Sequence, residues 1–193
     1  QSDLYDIEKA IHYYSLAANQ NYAKAQYKLG NIYSEEQSDL HDIRKAIHYY
    51  SLAANQNYVE AQCKLGSIYS EEQSDLYDIE KAIHYYSLAA KQNYVKAQYN
   101  LGLIYYESNP KDINMAFHYL KLAAKQNDPQ AQLLMGLIFY DGIYVMRDIK
   151  EAIRYFTLAA NQKEPKAQFY LNQIRSSSRY NIIIWKTHDD LLF

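Results

Sequence analysis

The chain is built from copies of one block. The 36 residues that open it return almost letter for letter from residue 37 and again from residue 73. A unit of this size is one supersecondary element, which buries its apolar side by stacking against its neighbours. We therefore expect an array of five units and no closed globule. Recurring alanines mark the period in steps of 36, 36, 34 and 36 residues: Ala10, Ala46, Ala82, Ala116 and Ala152.

Each unit is predicted to contain two short helices. Residues 6–18 place apolar side chains at spacings of three and four, and residues 22–33 do the same. This spacing gives one apolar stripe at 3.6 residues per turn. Because the connections are short, successive helices are expected to be antiparallel.

Turn chemistry predicts where helices begin and end. Asn109 before Pro110, and Asp128 before Pro129, place an oxygen acceptor and an imino acid where helices start. An asparagine follows each AANQ or AAKQ stretch but the last, where a residue that tolerates positive φ can close the final turn. These asparagines are Asn21, Asn57, Asn93 and Asn127.

A glycine recurs at one position of four units, inside a predicted helix. Glycine costs a helix interior about 1 kcal/mol relative to alanine. A glycine kept at that cost indicates a point where another helix approaches closely. The four residues are Gly30, Gly66, Gly102 and Gly136.

Two motifs carry a family resemblance. The pattern A-x-x-x-L-G-x-x-Y is followed by D-x-x-K-A-x-x-Y-Y-x-x-A-A, and the chain resembles the Sel-one-like repeat, a branch of the tetratricopeptide superfamily. Only YDGIYV, at residues 140–145, matches the family's glycine-rich turn. The motif residues in one copy are Ala25, Leu29, Gly30, Tyr33, Asp42, Lys45, Ala46, Tyr49, Tyr50, Ala53 and Ala54.

The resemblance implies an all-α fold, an α-solenoid superhelix of antiparallel helix pairs with about ten helices. The Leu-Gly helix comes first in each unit and the Lys-Ala helix second. Residues 1–175 would then be the array, with an orphan second helix at 3–20, four pairs over 22–162 and an orphan first helix at 165–175. In that last helix Asn172 and Arg175 replace Gly and an aromatic residue, as suits a polar cap. Residues 176–193 form a non-repeat tail, either unfolded or docked on a groove.

The resemblance also implies that the first helices line a concave, partner-binding face. Positions there differ most between the near-identical copies, and the face becomes more apolar and aromatic toward the C-terminus. Drift after recent duplication explains the differences equally well, and the leucines could pack in the core. The predicted partner-binding residues are Lys24, Tyr27, Asn31, Lys96, Tyr99, Leu103, Tyr106, Gln130, Leu133, Leu137, Tyr140, Lys166 and Phe169.

We expect a non-catalytic scaffold or adaptor that binds a partner peptide or domain. One alternative is a spacer or self-associating array within a larger protein. Another is an enzyme, since cysteine-rich bacterial relatives in the family are linked to β-lactam binding or hydrolysis. Cys63 is the single cysteine and no activated serine motif occurs, which argues against that chemistry. We expect no cofactor, no metal and no catalytic residue.

Composition narrows the partners further. With a net charge of −2 the chain has no basic field for nucleic acid, so the expected partner is a protein. No apolar run approaches the roughly 20 residues that span a bilayer. The single cysteine favours a cytoplasmic location, with the ER lumen or secretion as alternatives. We expect a monomer, and a chain that opens within a repeat suggests a portion of a longer protein.

Overall fold

The computed structural model describes residues 2–36, 39–108 and 112–177, and these form ten α-helices and no strand. The predicted all-α fold is therefore confirmed. Most of the predicted tail, from residue 178 onward, lies outside the described residues. The helices are α1 (Ser2–Asn19), α2 (Ala23–Tyr33), α3 (Ile43–Ala54), α4 (Val59–Tyr69), α5 (Ile79–Lys91), α6 (Val95–Glu107), α7 (Ile113–Lys125), α8 (Pro129–Asp141), α9 (Ile149–Asn161) and α10 (Pro165–Ser176).

The described residues fall into two compact units, unit 1 up to Ala97 and unit 2 from Gln98. We call α2, α4, α6, α8 and α10 the first helices, and α1, α3, α5, α7 and α9 the second helices. In unit 1, α2 packs against α1 and α3, and α4 packs against α3 and α5. In unit 2, α8 packs against α7 and α9, and α10 packs against α9. Each of these four first helices thus contacts the second helix before it and, for α2, α4 and α8, the second helix after it.

Aspartates cap the N-termini of the second helices α3, α5, α7 and α9. The Asp42 carboxylate accepts a hydrogen bond from the Lys45 backbone N–H at 3.0 Å, and Asp78 does the same for Lys81. The predicted start at Asp128 is confirmed, since its carboxylate accepts from the Ala131 N–H at 2.8 Å. Helix α7 begins at Ile113, and its N-cap residue is Asp112. The predicted start at residues 109 and 110 lies outside the described residues.

Residues with positive φ end the second helices. The four predicted asparagines have φ of 60° to 65°, which confirms their role. The fifth such position is Lys163, with φ of 65°. Unlike asparagine, lysine has no short polar side chain that stabilises positive φ, so the sequence did not predict this position.

The recurring glycines make room for a ring. A Cβ built on Gly30 would lie 2.5 Å from the Tyr50 ring, and one on Gly136 would lie 2.6 Å from the Phe156 ring. Gly66 faces Tyr86 in the same way, and Gly102 faces Leu120. The predicted close contact is confirmed, but the group that fills it is chiefly a side chain of the following second helix.

A second ring contact accompanies each glycine contact. Tyr33, three residues after Gly30, stacks on Tyr49 with ring centroids 5.8 Å apart and planes 7° apart. The pair Tyr-Tyr on a second helix therefore matches Gly-x-x-Tyr on the first helix before it. The same stack recurs as Tyr69–Tyr85, Tyr105–Tyr119 and Phe139–Tyr155.

Buried glutamines tie three helices together. Gln62 on α4 donates from Nε2 to the Ala54 carbonyl at the end of α3, at 3.2 Å. Its Oε1 accepts from Gln92 Nε2, just after α5, at 2.8 Å. Because the Gln62 side chain is buried, water does not reach its amide, and these two bonds satisfy its polar atoms. We call this set the glutamine ladder; its buried members are Gln26, Gln62, Gln98 and Gln132.

Candidate functional site

The predicted partner-binding residues lie on first helices in both units. In unit 1, Lys24 and Lys96 are exposed, and Tyr27 and Asn31 are partly exposed. Their contact with a partner stays a prediction. In unit 2 the exposed members are Gln130, Lys166 and Phe169, and the partly exposed members are Tyr99, Leu103, Tyr106, Leu137 and Tyr140.

Leu133 does not belong to this surface. Its side chain is only 6% exposed and lies in a core cluster with Ile153, Phe156 and Leu171. The prediction that it faces a partner is therefore wrong. The apolar stripe of α8 is wide enough to reach both the core and the solvent side, and the helical period alone does not separate them.

In unit 1, Tyr27 is held between two other tyrosines. Its ring centroid lies 5.8 Å from that of Tyr50 and 5.2 Å from that of Tyr58. Burial raises the pKa of Tyr50 to about 12, partly opposed by its hydrogen bond with Ser34. The Tyr50 hydroxyl also donates to Asn31 Oδ1 at 2.8 Å. Asn31 is therefore already engaged in packing one helix on the next.

Cys63 occupies the position of Tyr27 in the next first helix. It is buried, and this burial raises the pKa of its thiol to about 11. The neighbouring Lys96 lowers that pKa, but by less than burial raises it. At neutral pH the group is a neutral thiol, which suits packing and not nucleophilic attack.

In unit 2 the C-terminal end of α6 meets an apolar turn. Tyr106, at the end of α6, makes an edge-to-face contact with Tyr144 at 6.2 Å between centroids. Tyr144 lies in the turn between α8 and α9, beside the exposed Ile143 and Met146. We call Tyr106, Ile143, Tyr144 and Met146 the turn surface. The repeat pattern predicts Tyr106 as a site residue but not the other three, although they lie in or next to YDGIYV, the glycine-rich turn.

The turn is fixed to the helix before it. Gly142 ends α8 with φ of 65°, and the Asp148 N–H donates to the Phe139 carbonyl at 3.0 Å. Arg147 donates from Nε to the Tyr140 carbonyl at 3.0 Å, and its guanidinium lies 5.5 Å from the centroid of the Tyr140 ring. These bonds pre-order the backbone that carries the turn surface.

Tyr99 lies among acidic groups. Burial raises the pKa of its hydroxyl, and the carboxylates of Asp128, Glu107 and Glu164 raise it further. Glu164 itself accepts a hydrogen bond from Gln130 Nε2 at 2.7 Å and caps α10. The exposed Gln130 is thus a link between α8 and α10 as well as a candidate contact.

The histidines that recur on the second helices stand on the surface. His48 packs edge-to-face on Tyr49, with centroids 5.3 Å apart, and the others repeat this local contact. Across residues 2–36, 39–108 and 112–177, histidine, cysteine and carboxylate side chains form no group that could hold a metal ion. The same part of the chain has no helix with both the length and the apolar content needed to cross a bilayer.

Comparison with known families gives five matches to one model. The Sel1 repeat model matches residues 4–22, 23–58, 59–94, 95–128 and 129–164. Each of the later matches begins at a first helix and runs through the following second helix. Among curated proteins, no sequence is significantly similar to the chain.

Three solved structures illustrate the similarity of this fold to known proteins. The chain is 28% identical to c5321, a protective antigen of uropathogenic Escherichia coli with an SLR fold; the TM-score is 0.80 over 86% of this chain and 36% of that one. It is 28% identical to a Sel1 repeat protein from Oxalobacter formigenes, with a TM-score of 0.78 over 91% of this chain and 73% of that one. Immunity protein PA5088 from Pseudomonas aeruginosa is 18% identical, with a TM-score of 0.55 over 87% and 62% of the two chains, and shares the fold. The chain spans about a third of the length of c5321.

Proposed function

Because the chain belongs to the Sel1 repeat family, we propose that it is a protein-binding scaffold whose turn surface anchors a partner peptide or domain. Sel1 repeats mediate contacts between proteins, which makes this function class the natural starting point. The partner-facing residues of unit 2 would then be Tyr106 and Tyr140 together with the apolar turn beside them.

The exposure of the turn supports this proposal most directly. Met146 is 90% exposed and Ile143 is 72% exposed, although both are large apolar side chains. Such residues stabilise a complex when a partner covers them, and aromatic neighbours are frequent anchors at interfaces. Tyr106 and Tyr144 supply two such rings in contact with each other.

The rigidity of the turn also favours binding. Gly142, Arg147 and Asp148 hold the backbone of the turn through the contacts described above. A partner would therefore not have to order the loop when it binds, which lowers the entropic cost of association. A mere spacer between other segments would need no apolar turn held in this way.

Two other functions are alternatives to this proposal. A self-associating array would cover the turn surface with a second copy, and sedimentation of the purified chain would reveal a dimer. A hydrolytic enzyme would need an activated nucleophile. The neutral, buried thiol of Cys63 is poorly suited to that role.

The test is a comparative capture experiment with purified protein. The immobilised chain and the double variant Ile143→Ser plus Met146→Ser are exposed to the same cell extract, and retained proteins are quantified by mass spectrometry. The control is Tyr77→Ser, which also removes an exposed apolar side chain, but in unit 1.

We expect at least one specific partner to be lost with the double variant and kept with the control, at unchanged helicity by circular dichroism. Reconstitution with that purified partner should then show a Kd at least tenfold weaker for the double variant. If every retained protein binds the double variant and the control equally, the turn surface does not anchor a partner.

A further inference from the structure

Three tyrosines and one carboxylate lie close together in unit 1. Tyr58, the N-cap residue of α4, has its ring centroid 5.2 Å from that of Tyr27 on α2. Tyr94 holds the position of Tyr58 one copy later, directly before α6. Glu60 lies in the first turn of α4, and all four side chains are partly exposed. We call Tyr27, Tyr58, Glu60 and Tyr94 the tyrosine–glutamate cluster.

The carboxylate of Glu60 acts on two of these tyrosines. Burial raises the pKa of the Tyr58 hydroxyl, and Glu60 raises it further. Burial also raises the pKa of the Tyr94 hydroxyl, and Cys63 and Glu60 add to this effect. Glu60 therefore lies within electrostatic reach of hydroxyls at the starts of two different first helices. A cation placed among these groups would meet a carboxylate and aromatic faces together.

The same combination of a carboxylate and an aromatic ring holds a cation elsewhere in the chain. The Arg154 guanidinium lies 4.1 Å from the centroid of the Tyr155 ring and donates to Glu151 Oε2 at 2.7 Å. Among the described residues, no lysine or arginine nitrogen lies within 4.0 Å of the Glu60 carboxylate. Two lysines of unit 1 repeat the arrangement, Lys45 with Asp42 and Tyr33, and Lys81 with Asp78 and Tyr69.

The fold does not require an acid at residue 60. Glu60 is the second residue of α4, and lysine holds the same position of α2 and α6, as Lys24 and Lys96. Both lysines are exposed. Because lysine serves the helix start in the copies before and after, packing does not account for the carboxylate. The charge at this position thus alternates along unit 1 from positive to negative to positive.

We propose that the tyrosine–glutamate cluster binds an arginine side chain of a partner protein. Arginine suits the cluster better than lysine, because its planar guanidinium pairs with a carboxylate through two hydrogen bonds and stacks on aromatic rings. Lys24 and Lys96 would then bind acidic residues on either side of that arginine. This site lies in unit 1 and goes beyond the turn surface of unit 2.

The spacing of the helices indicates the pattern of the partner segment. A helix with its side chains is about 10 to 12 Å wide, and about three residues of extended chain cover that distance. The segment is therefore expected to read acid-x-x-Arg-x-x-acid. Its charges are complementary to those of Lys24, Glu60 and Lys96, taken in order.

Three peptides of defined charge test the site. The probe is acetyl-Glu-Gly-Gly-Arg-Gly-Gly-Glu-amide, which carries the expected pattern. In one matched peptide the arginine is replaced by citrulline, which has nearly the same shape but no charge. In the other the charges are exchanged, with arginine near both ends and glutamate in the centre. Each peptide is titrated into the isotope-labelled chain at low ionic strength and followed by amide chemical shifts.

Three variants of the chain accompany the peptides. Glu60→Lys reverses the charge of the cluster and restores the residue found in the copies on either side, so the fold should tolerate it. Tyr58→Leu removes one ring and no capping bond, since the Tyr58 side chain makes none. Glu80→Arg is the control. It makes the same charge change in the first turn of α5, where the preceding copy carries Arg44.

We expect saturable shifts at the amides of Tyr58, Glu60 and Tyr94 with the arginine peptide, and a Kd on the order of 1 mM, as suits contact through a few side chains. Binding should be at least about fivefold weaker for the citrulline peptide and for Glu60→Lys, and about threefold weaker for Tyr58→Leu. Glu80→Arg should bind like the parent chain, and all variants should keep its helicity by circular dichroism. Salt should weaken binding, because the contacts are partly exposed.

Equal binding of the arginine and citrulline peptides, or of the parent chain and Glu60→Lys, would overturn the proposal. So would the absence of saturable shifts at the cluster, or tighter binding of the charge-exchanged peptide. An equal loss in Glu60→Lys and Glu80→Arg would reveal a general effect of net charge and would also count against the site. None of these results depends on whether the turn surface captures a partner.

Discussion

The substitution Gln62→Glu places a charge inside the glutamine ladder. Gln62 is 1% exposed, donates to the Ala54 carbonyl at 3.2 Å and accepts from Gln92 at 2.8 Å. Glutamate has nearly the same shape but no N–H to donate. At neutral pH a carboxylate oxygen would therefore face the Ala54 carbonyl oxygen in a site that excludes water.

The expected loss of unfolding free energy is about 3 kcal/mol at pH 7. An uncompensated buried charge costs about 3 to 5 kcal/mol, and the surviving bond from Gln92 favours the lower figure. Burial raises the pKa of the new carboxyl above its ordinary value of about 4.3. The unfolded chain releases the proton of this carboxyl near the ordinary pKa, whereas the folded chain keeps it until the raised pKa. Between these two pKa values the folded chain therefore binds more protons than the unfolded chain. Stability therefore falls as pH rises through this window, and the variant should lose less at pH 5 than at pH 7.

Urea unfolding followed by far-ultraviolet circular dichroism at both pH values measures this effect. The matched control is Gln168→Glu at the equivalent position of α10, where the side chain is exposed and bonds to Asn172. That change should alter stability by less than about 0.5 kcal/mol at either pH. If the two variants lose equal stability, or if the loss in Gln62→Glu does not depend on pH, the ladder does not bury its glutamines as described.

Three further changes probe other features. Gly66→Ala should lower the unfolding free energy by about 1 to 2 kcal/mol, because overpacking against Tyr86 outweighs the gain in helix propensity. An unchanged urea midpoint would contradict this prediction. Lys163→Asn should raise the unfolding free energy by about 1 kcal/mol, since asparagine tolerates φ of 65° better than lysine, and the reverse change Asn127→Lys should lower the urea midpoint. Cys63 should react with a disulfide reagent at pH 8 at least about 100-fold more slowly in the folded chain than in urea, because burial raises its pKa to about 11; similar rates in both states would show that the thiol is accessible.

Local sequence patterns predicted most of the fold. Helical spacing, the repeated glycines and the asparagines are properties of single segments, so residues 6–18 and 22–33 could be assigned to helices from their letters alone. The internal copies also served as comparisons for one another. That is why the close contact at Gly30 could be expected before its partner, Tyr50, was known.

The candidate site was less predictable because exposure depends on neighbours. Leu133 and Leu137 are four residues apart on one helix and share one periodic stripe, yet Leu133 is buried while Leu137 stays partly exposed. Ile143 and Met146 lie in a turn, where no periodicity assigns a side chain to a face.

The sequence by itself determined that this chain is an array of paired helices, since its period and apolar spacing admit few other folds. Only the tertiary structure decided which residues are available to partners. Tyr27 and Leu133 occupy the same position in two copies of the repeat, but Tyr27 is partly exposed and Leu133 is buried. Burial is a property of the packed arrangement, so equivalent positions of one repeat differ in their exposure.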